Sequence, residues 1–421
     1  MRFPTLQQWL AWQETLHPKA IDLSLDRVRE VQRRLKLDRP EFAIITVAGT
    51  NGKGSSVALL EAIYSAAGYR VGAYTSPHLL RYNERIRVQG REVSDQEICL
   101  AFDRIDQARG EISLTYFEFG TLAALDIFFH QQLDVAILEV GLGGRLDAVN
   151  IMDADAALVT AIDIDHVNWL GGDRETIARE KAGIFRPQRP AVFSGEDAPA
   201  SLLEYAAQQN TPLYCLTRDF GFRPQTAGWA WWGGDGRIRN ALPFPALRGA
   251  YQLQNAAGVL TIVDLLEDQL PVGQQAVRDG LVSVRLNGRF QVVAGGIQQV
   301  FDVCHNPHAA TVLADNLRSM PCSGKTYAIV GMMADKDISG TLQPLLPLVN
   351  TWSVAPLEIP RSASSADIAT VINALNSTIT VRQSGSILQA YKWALDQAQE
   401  GDRILIFGSF LTVAEILPKC L

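Results

Sequence analysis

Cysteine is sparse in this sequence of 421 residues, and nothing about its spacing suggests pairing. Cys99, Cys215, Cys304, Cys322 and Cys420 are scattered, odd in number and without a Cys-x-x-Cys pair, so neither a disulfide framework nor a structural zinc site is signalled. Such usage fits a reducing compartment. Long apolar runs are missing too: no window offers the ~18 or more apolar residues of a membrane span. The opening Met-Arg-Phe-Pro-Thr-Leu-Gln-Gln-Trp-Leu lacks the apolar core of a signal peptide, and the expectation is a cytoplasmic protein. Nor is there an excess of positive charge. A formal net charge of -7 argues against a broad basic face for nucleic acid. Arg27, Arg29, Arg33, Arg34 and Lys36 share one amphipathic stretch and read as a solvated helix face. No fixed-period repeat and no low-complexity tract interrupts the chain.

What is present is enough apolar material, 47% of residues, for more than one core, since single cores tend to split beyond ~250–300 residues. Phe42–Gly49 reads as a buried strand, followed by a glycine loop and a helical pattern through Val57, Leu60, Ile63 and Ala67 that stops at Gly68. Val71–Thr75, Val135–Val140 and Ala156–Ile162 read as further strands, with helices over Ser94–Arg109 and Phe119–His130. This alternation predicts an α/β fold with a mostly parallel sheet covered on both faces. Between Asp219 and Leu247 the texture changes to Gly, Pro and aromatics, including Trp229, Trp231 and Trp232. It reads as an antiparallel β excursion whose tryptophans pack a small hairpin onto the domain. A second alternation follows Arg289, with strands near Val300–Val303, Tyr327–Gly331, Trp352–Ala355, Ile379–Arg382 and Ile404–Gly408. The turn-forming Leu286-Asn287-Gly288-Arg289 marks the boundary, giving a large domain over 1–287 and a smaller one over 288–421.

The loop Gly49-Thr50-Asn51-Gly52-Lys53-Gly54-Ser55 lies between strand and helix. There, backbone N–H groups converge, the helix N-terminus adds partial positive charge and Lys53 supplies a full one, so the loop suits phosphate. Its spacing departs from the common G-x-x-x-x-G-K-[ST] pattern, because Val47 stands where the first glycine would be and Gly54 separates Lys53 from Ser55. Glu139 ends an apolar strand beside the flexible Gly141-Leu-Gly-Gly144, and His166 follows the next strand in Asp163-Ile-Asp165-His166. Two adjacent strand ends would thus offer oxygen and nitrogen ligands to one crevice. Magnesium needs few protein ligands beside phosphate oxygens and water, and Ser76, in Thr75-Ser76-Pro77-His78, can add a hydroxyl.

Seven segments carry a specific resemblance: Gly49–Ser55, Thr75-Ser-Pro-His-Leu79, Thr115-Tyr-Phe-Glu118, Glu139–Asp147, Glu180-Lys-Ala-Gly-Ile-Phe185, Gly288-Arg-Phe290 and Phe301–His308. Their order resembles that of folylpolyglutamate synthases, relatives of the Mur peptidoglycan ligases, along nearly the whole chain. The resemblance implies a P-loop mononucleotide-binding large domain and a smaller Rossmann-like α/β C-terminal domain. It implies a monomeric ligase in which ATP, with magnesium (two ions), phosphorylates a carboxylate of 7,8-dihydropteroate or a reduced folate. L-glutamate then attacks the acyl phosphate, sitting between domains that close on it. By the same resemblance, Thr50, Asn51, Gly52, Lys53, Gly54, Ser55, Asn255, Arg289 and Asp302 contact ATP. Ser76, Glu139 and His166 hold metal, while Thr115, Tyr116, Phe117, Glu118, Leu146, Asp147 and Ala148 hold dihydropteroate. His305 and Ser409 reach glutamate. Lys53, Glu139, His166, Asp302 and His305 form the implied catalytic set.

Lys181 matches a lysine that the family carries as a carbamate, although a lone lysine in Glu-Lys-Ala-Gly otherwise reads as solvated. Asn287, Cys304 and Val149 stand where relatives often have proline, alanine and threonine; Val149, nearest the pterin segment, bears on pterin affinity. Cys304 reads as a small buried hydrophobe. The spacing His305-x-x-His308 is explained by a turn and a helix start at Pro307. A Mur-type ligase acting on UDP-linked muramyl precursors, and a nucleotide-dependent switch that recruits a protein, are the competing readings. Thr115–Glu118 and the small C-terminal domain argue against the first.

Overall fold

The structure, a computed structural model, describes residues 1–420. The chain divides into two compact units. One comprises Met1–Ala246 with Gln252–Arg285, and the other runs from Leu286 onward together with Leu247–Tyr251.

The first unit opens with helices α1 (Leu6–Leu16) and α2 (Asp26–Leu35), then enters β1 (Ala43–Ala48), α3 (Lys53–Ala66), β2 (Val71–Tyr74), β3 (Ile86–Val88) and β4 (Arg91–Glu92). Next come α4 (Asp95–Arg109), α5 (Tyr116–Phe129), β5 (Val135–Glu139), β6 (Ala156–Val159), α6 (Val167–Leu170), α7 (Arg174–Ala182), β7 (Ala191–Phe193), α8 (Ala200–Gln208) and β8 (Leu213–Cys215). The strands form one sheet in the order β4-β3-β2-β5-β1-β6-β7-β8, antiparallel only where β3 meets β2 and β4. β1 is flanked by β5 and β6, both parallel to it and buried along their length, which explains why all three read as continuous apolar runs. The strand ends predicted to be adjacent, those carrying Glu139 and leading to His166, therefore stand on either side of β1. One face of the sheet is covered by α1, α2, α4 and α5 around Trp9, Phe102 and Phe119. Part of the other face lies under α7 and α8 around Phe185 and Phe193.

Strand β6 stops at Val159, short of the expected Ile162: Thr160 N still donates to Ala48 O of β1 at 2.9 Å, but its hydroxyl and the Ala161 carbonyl bond to the glycine loop. Thr160 Oγ1 donates to Asn51 O at 2.6 Å, and Ala161 O accepts from Thr50 N at 2.6 Å. The β excursion is a three-stranded antiparallel sheet of β9 (Gly221–Gln225), β10 (Gly228–Trp232) and β11 (Ile238–Leu242). Trp229 and Trp231 are buried, and Trp231 Nε1 donates to Thr261 Oγ1 of α9 (Tyr251–Leu265). Trp232 is largely exposed. Helix α10 (Gln274–Ser283) closes the unit.

The second unit has a six-stranded sheet in the order β12-β13-β17-β14-β15-β16, built from Gln291–Val293, Gln298–Phe301, Thr326–Val330, Thr351–Val354, Val381–Gln383 and Arg403–Phe407 as β12 to β17. Only the edge strand β12, which is too short for a periodicity to be visible, runs antiparallel. A core around Trp352, Leu313 and Phe407 fills one face. Among the described residues no helix is long and apolar enough to cross a membrane.

Candidate active site

The phosphate loop owes its shape to two glycines. Gly49 has φ 149° and Gly52 φ 89°, values that L side chains rarely adopt. A Cβ on Gly49 would collide with the Thr160 hydroxyl, and one on Gly52 would lie 2.6 Å from Asn255 Oδ1. The loop is also tied to the segment after β6. Thr50 Oγ1 donates to Asp163 O and accepts from Asp163 N, both at 3.0 Å. Lys53, the first residue of α3, folds back so that Nζ donates to Gly49 O at 3.0 Å and Thr50 O at 3.4 Å. Gly54 and the buried Ser55 continue into the helix, where Gln252 Nε2 reaches Ser55 Oγ at 3.4 Å. Gln252 and Asn255, one turn apart on α9, bond to each other at 3.1 Å. The carboxamide oxygen of Asn255 is buried without a hydrogen-bond partner, a group that calls for a ligand or water.

Because β2 runs parallel to β5 with Tyr74 opposite Leu138, Ser76 and Glu139 emerge together, and Ser76 N donates to Glu139 Oε2 at 3.1 Å. A hydroxyl and a buried carboxylate are hard oxygen donors of the kind magnesium takes alongside phosphate and water, so this pair fits a divalent cation. His166 stands at the start of α6 in the left-handed region, φ 53°. Among the described residues no three His, Cys, Asp or Glu side chains gather into a metal cage.

Lys181, on α7, is the main departure from what its local sequence suggests: only 4% of it is exposed. Gly144 lets the Gly141–Gly144 strip lie on α7, since a Cβ there would sit 2.8 Å from Glu180 O and 3.0 Å from Lys181 O. Burial, and after it the nearby Lys53, bring the Lys181 ammonium down to about 7 against the pull of Asp165 and Asp147. Asp147 is equally enclosed. Its carboxylate accepts from Leu142 N at 2.8 Å and Val149 N at 3.0 Å, yet burial outweighs those bonds and raises it to about 6. Leu146 and Ala148 flank it, half-buried and buried.

Thr115 and Glu118 form the capping box of α5: Glu118 N donates to Thr115 Oγ1 at 3.2 Å, and Thr115 N to Glu118 Oε2 at 2.7 Å. The other Glu118 oxygen accepts from Arg27 Nη2 at 3.1 Å. These two side chains thus build the helix start, and the half-buried Tyr116 and Phe117 are the members of the segment left to meet a ligand. Phe117 covers Gly141, where a Cβ would lie 2.6 Å from its ring.

In the second unit Asp302 follows β13, and its carboxylate accepts from Phe290 N and Cys304 N, both at 2.8 Å. Burial raises its pKa, and the Arg289 guanidinium opposes that. These bonds turn the chain after Phe301, which ends the strand before the expected Val303. Arg289 lies over the Phe410 ring, 4.9 Å to its centroid, and His305 stands 6.3 Å from the same ring. His305 Nδ1 bonds to Val303 O at 2.9 Å. Ser409 is buried and caps the helix that starts at Phe410. Asn306 caps a helix whose first residue is Pro307, as the turn reading of His305 and His308 required. Burial pushes the Cys304 thiol well above its ordinary value, so it packs as a small apolar group.

Sequence reasoning missed Thr160, Asp163 and Phe410. None carries a motif of its own; an apolar strand ending in threonine and a phenylalanine after Ser409 were the available signals.

The Mur ligase middle domain family matches residues 47–224, and the Mur ligase glutamate ligase domain matches residues 288–410. The dihydrofolate synthase/folylpolyglutamate synthase of Escherichia coli (strain K12) is 45% identical over 412 residues, covering 98% of this chain and 94% of that protein. The solved structure of Escherichia coli FolC in complex with DHPP and ADP has a TM-score of 0.93 at 44% identity, over 99% of this chain and 97% of that one. That of a bifunctional folylpolyglutamate synthase/dihydrofolate synthase with Mn, AMPPNP and L-glutamate bound has a TM-score of 0.92 at 46% identity, over 99% and 98%. With both halves of its architecture and nearly its full length shared, this chain belongs to the dihydrofolate synthase/folylpolyglutamate synthase family of Mur-type ligases.

Proposed function

We infer that this chain is an ATP-dependent amide ligase that joins L-glutamate to 7,8-dihydropteroate, forming dihydrofolate, and adds further glutamates to reduced folates. The near full-length relation to proteins of that double activity carries this reading. The free cysteines among the described residues suit a cytoplasmic setting. ATP is the co-substrate, and a divalent cation held by Ser76, Glu139 and His166 supplies charge neutralisation for its phosphates.

The residues divide the work as follows. Loop amides from Thr50 to Ser55 and the Lys53 ammonium hold the phosphates, since phosphoryl transfer needs chiefly positioning and charge. Asn255, with its unsatisfied buried oxygen, takes a nucleotide donor group. Arg289 and Asp302 serve the nucleotide from the smaller unit. Tyr116 and Phe117, with Leu146, Asp147 and Ala148, hold the pteroate, and Thr115 and Glu118 fix the helix that carries the two aromatic rings. The acceptor carboxylate attacks the terminal phosphorus of ATP, ADP leaves, and the amine of L-glutamate, oriented by His305 and Ser409, displaces phosphate from the acyl carbon. Holding amine and acyl carbon together contributes up to ~7–11 kcal/mol to such a step. Lys181, deprotonated more readily than a solvated lysine, is the amine form that adds carbon dioxide to give a carbamate and a proton.

Purified protein given magnesium, ATP, dihydropteroate and L-glutamate releases ADP only when all are present. No ADP under those conditions would remove the dihydrofolate synthase half, and tetrahydrofolate as acceptor tests the other half in the same assay.

A further inference from the structure

Arg85 is a cation without an anion. Only 9% of it is exposed, and among the described residues no carboxylate pairs with its guanidinium. The nearby acids are otherwise engaged. Glu84 accepts from the backbone N–H groups of Leu79, Leu80 and Arg81 at 2.6–2.7 Å. Asp147 is held by Leu142 and Val149, and Glu118 by Thr115 and Arg27. The groups in direct contact with the Arg85 guanidinium are neutral. Its Nε donates to His78 Nδ1 at 2.8 Å, and its Cζ stands 5.3 Å from the ring centroid of Tyr82 and 5.6 Å from that of Tyr116. The two rings are themselves edge to face at 5.8 Å. Burial pushes the Tyr82 phenol well above its ordinary value, raises Tyr116 and takes Tyr74 to about 12, so no phenolate supplies the missing charge. Cation–π contacts and one neutral hydrogen bond do not replace an anion in a desolvated place. The planar fork of a guanidinium is matched by a carboxylate.

The location narrows the choice. Arg85 O accepts from Thr75 N at 2.9 Å, so this arginine sits opposite the residue before Ser76, at the same strand end as Glu139. On its other side is Tyr116, in the segment assigned above to the pteroate. Dihydropteroate has one carboxylate, and that one reacts. A folate acceptor carries a terminal glutamyl residue with two, of which one reacts and the other remains an anion. We propose that Arg85 binds the non-reacting carboxylate of the terminal glutamyl residue of a folate acceptor, making it the residue that distinguishes a glutamylated acceptor from dihydropteroate. This rests on the ligase reading above.

The test is steady-state kinetics with three acceptors: dihydropteroate, tetrahydrofolate, and a tetrahydrofolate analogue whose non-reacting carboxylate is a carboxamide. For the wild-type protein, KM for the analogue exceeds that for tetrahydrofolate about tenfold or more, the usual scale of a lost charge-assisted bond. In Arg85→Gln that difference disappears, and the ratio of KM for tetrahydrofolate to KM for dihydropteroate rises about tenfold; Arg85→Lys falls between. A wild-type protein that treats analogue and parent alike overturns the assignment, and this arm needs no variant to fold. So does an Arg85→Gln protein in which KM rises equally for both natural acceptors, or in which KM for L-glutamate rises instead, since the incoming amino acid is the other source of carboxylate. Failure of the ligase reading looks different: no acceptor-dependent ADP release from the wild type at all.

Discussion

In the larger unit, Lys181 and Asp147 are buried within electrostatic reach of each other and of Lys53, and burial drives both toward their neutral forms. In the smaller unit Asp302 is as deeply enclosed and, like Asp147, accepts from two peptide N–H groups, but its charged neighbour is the Arg289 guanidinium rather than a lysine. The first arrangement leaves charge states adjustable, which is what a site that receives phosphates and a cation requires. The second sets the carboxylate beside a guanidinium, a cation that does not titrate in proteins, so its charged partner is constant. Substitutions at Lys53 should therefore change chemistry with little effect on stability, whereas those at Lys181 should change both. At Asp302, too, they should change both.

The largest expected effect is at Lys53. Lys53→Ala removes the only full positive charge on the phosphate loop while leaving the glycine geometry and the Thr50–Asp163 ties in place. Turnover should fall by roughly 10²–10³ or more, the scale for losing a preorganised charge, with an unchanged melting temperature. A melting temperature that falls along with turnover would show that Lys53 bonds to Gly49 and Thr50 hold the loop rather than serve the phosphates.

Next in size is Lys181, read through pH. Its folded-state value of about 7 lies below the 10.5 of a free lysine, so between those values the unfolded chain binds more protons and stability rises with pH. The burden of the charged form is fully present below about pH 7 and relieved as pH climbs toward 10.5. Lys181→Met should be the more stable protein below pH 7, by an amount on the order of a few kcal/mol at ~1.4 kcal/mol per unit, and its advantage should shrink steadily above it. Asp147 acts in the opposite sense. Raised to about 6 from 3.8, it adds stability as pH falls through that window, so the comparison is cleanest above pH 6. Chemical denaturation of both proteins at several pH values checks this, and a constant difference would mean that Lys181 is not titrating. Turnover should be lost in Lys181→Met, and removing bicarbonate should lower it in the wild type only.

Asp302→Ala brings the comparison to the smaller unit. The change strands the N–H groups of Phe290 and Cys304, each at a cost of roughly 1–3 kcal/mol if buried. The unit from Leu286 onward should melt earlier while the larger unit melts as before, and turnover should fall strongly. Two separable transitions in calorimetry are the expected reading. Wild-type rates would refute the nucleotide role, and a single cooperative loss would refute an effect confined to the unit that carries Asp302.

How much of this was legible in the sequence depended on the range of the interaction. β1, β2, β5 and β6 are buried along their length, so each could be read as an apolar run, whereas the short β3, β4 and β8 are partly or wholly exposed and carry no such signal. Where a strand stops depended on distant partners: just past the end of β6 at Val159, the Thr160 hydroxyl and the Ala161 carbonyl bond to a loop more than a hundred residues earlier. Lys181 could not be read as buried from Glu-Lys-Ala-Gly, since its enclosure arises only in the fold, where the glycine strip at 141–144 packs against the α7 backbone at Glu180 and Lys181. Arg85 was invisible for the same reason: its isolation from carboxylates is a property of the fold around it.

The smallest effect separates two roles that the sequence merged in Thr115. Its hydroxyl caps α5 and its backbone N–H binds Glu118, so Thr115→Ala should cost about 1 kcal/mol, the usual loss for such a cap, and Thr115→Ser should recover it. If capping is its whole contribution, KM for dihydropteroate follows stability, moving in the alanine variant and returning in serine. A serine variant that restores the melting temperature but not KM would put the threonine methyl in contact with the pteroate. Tyr116 and Phe117 would then share that surface with the residue that starts their helix.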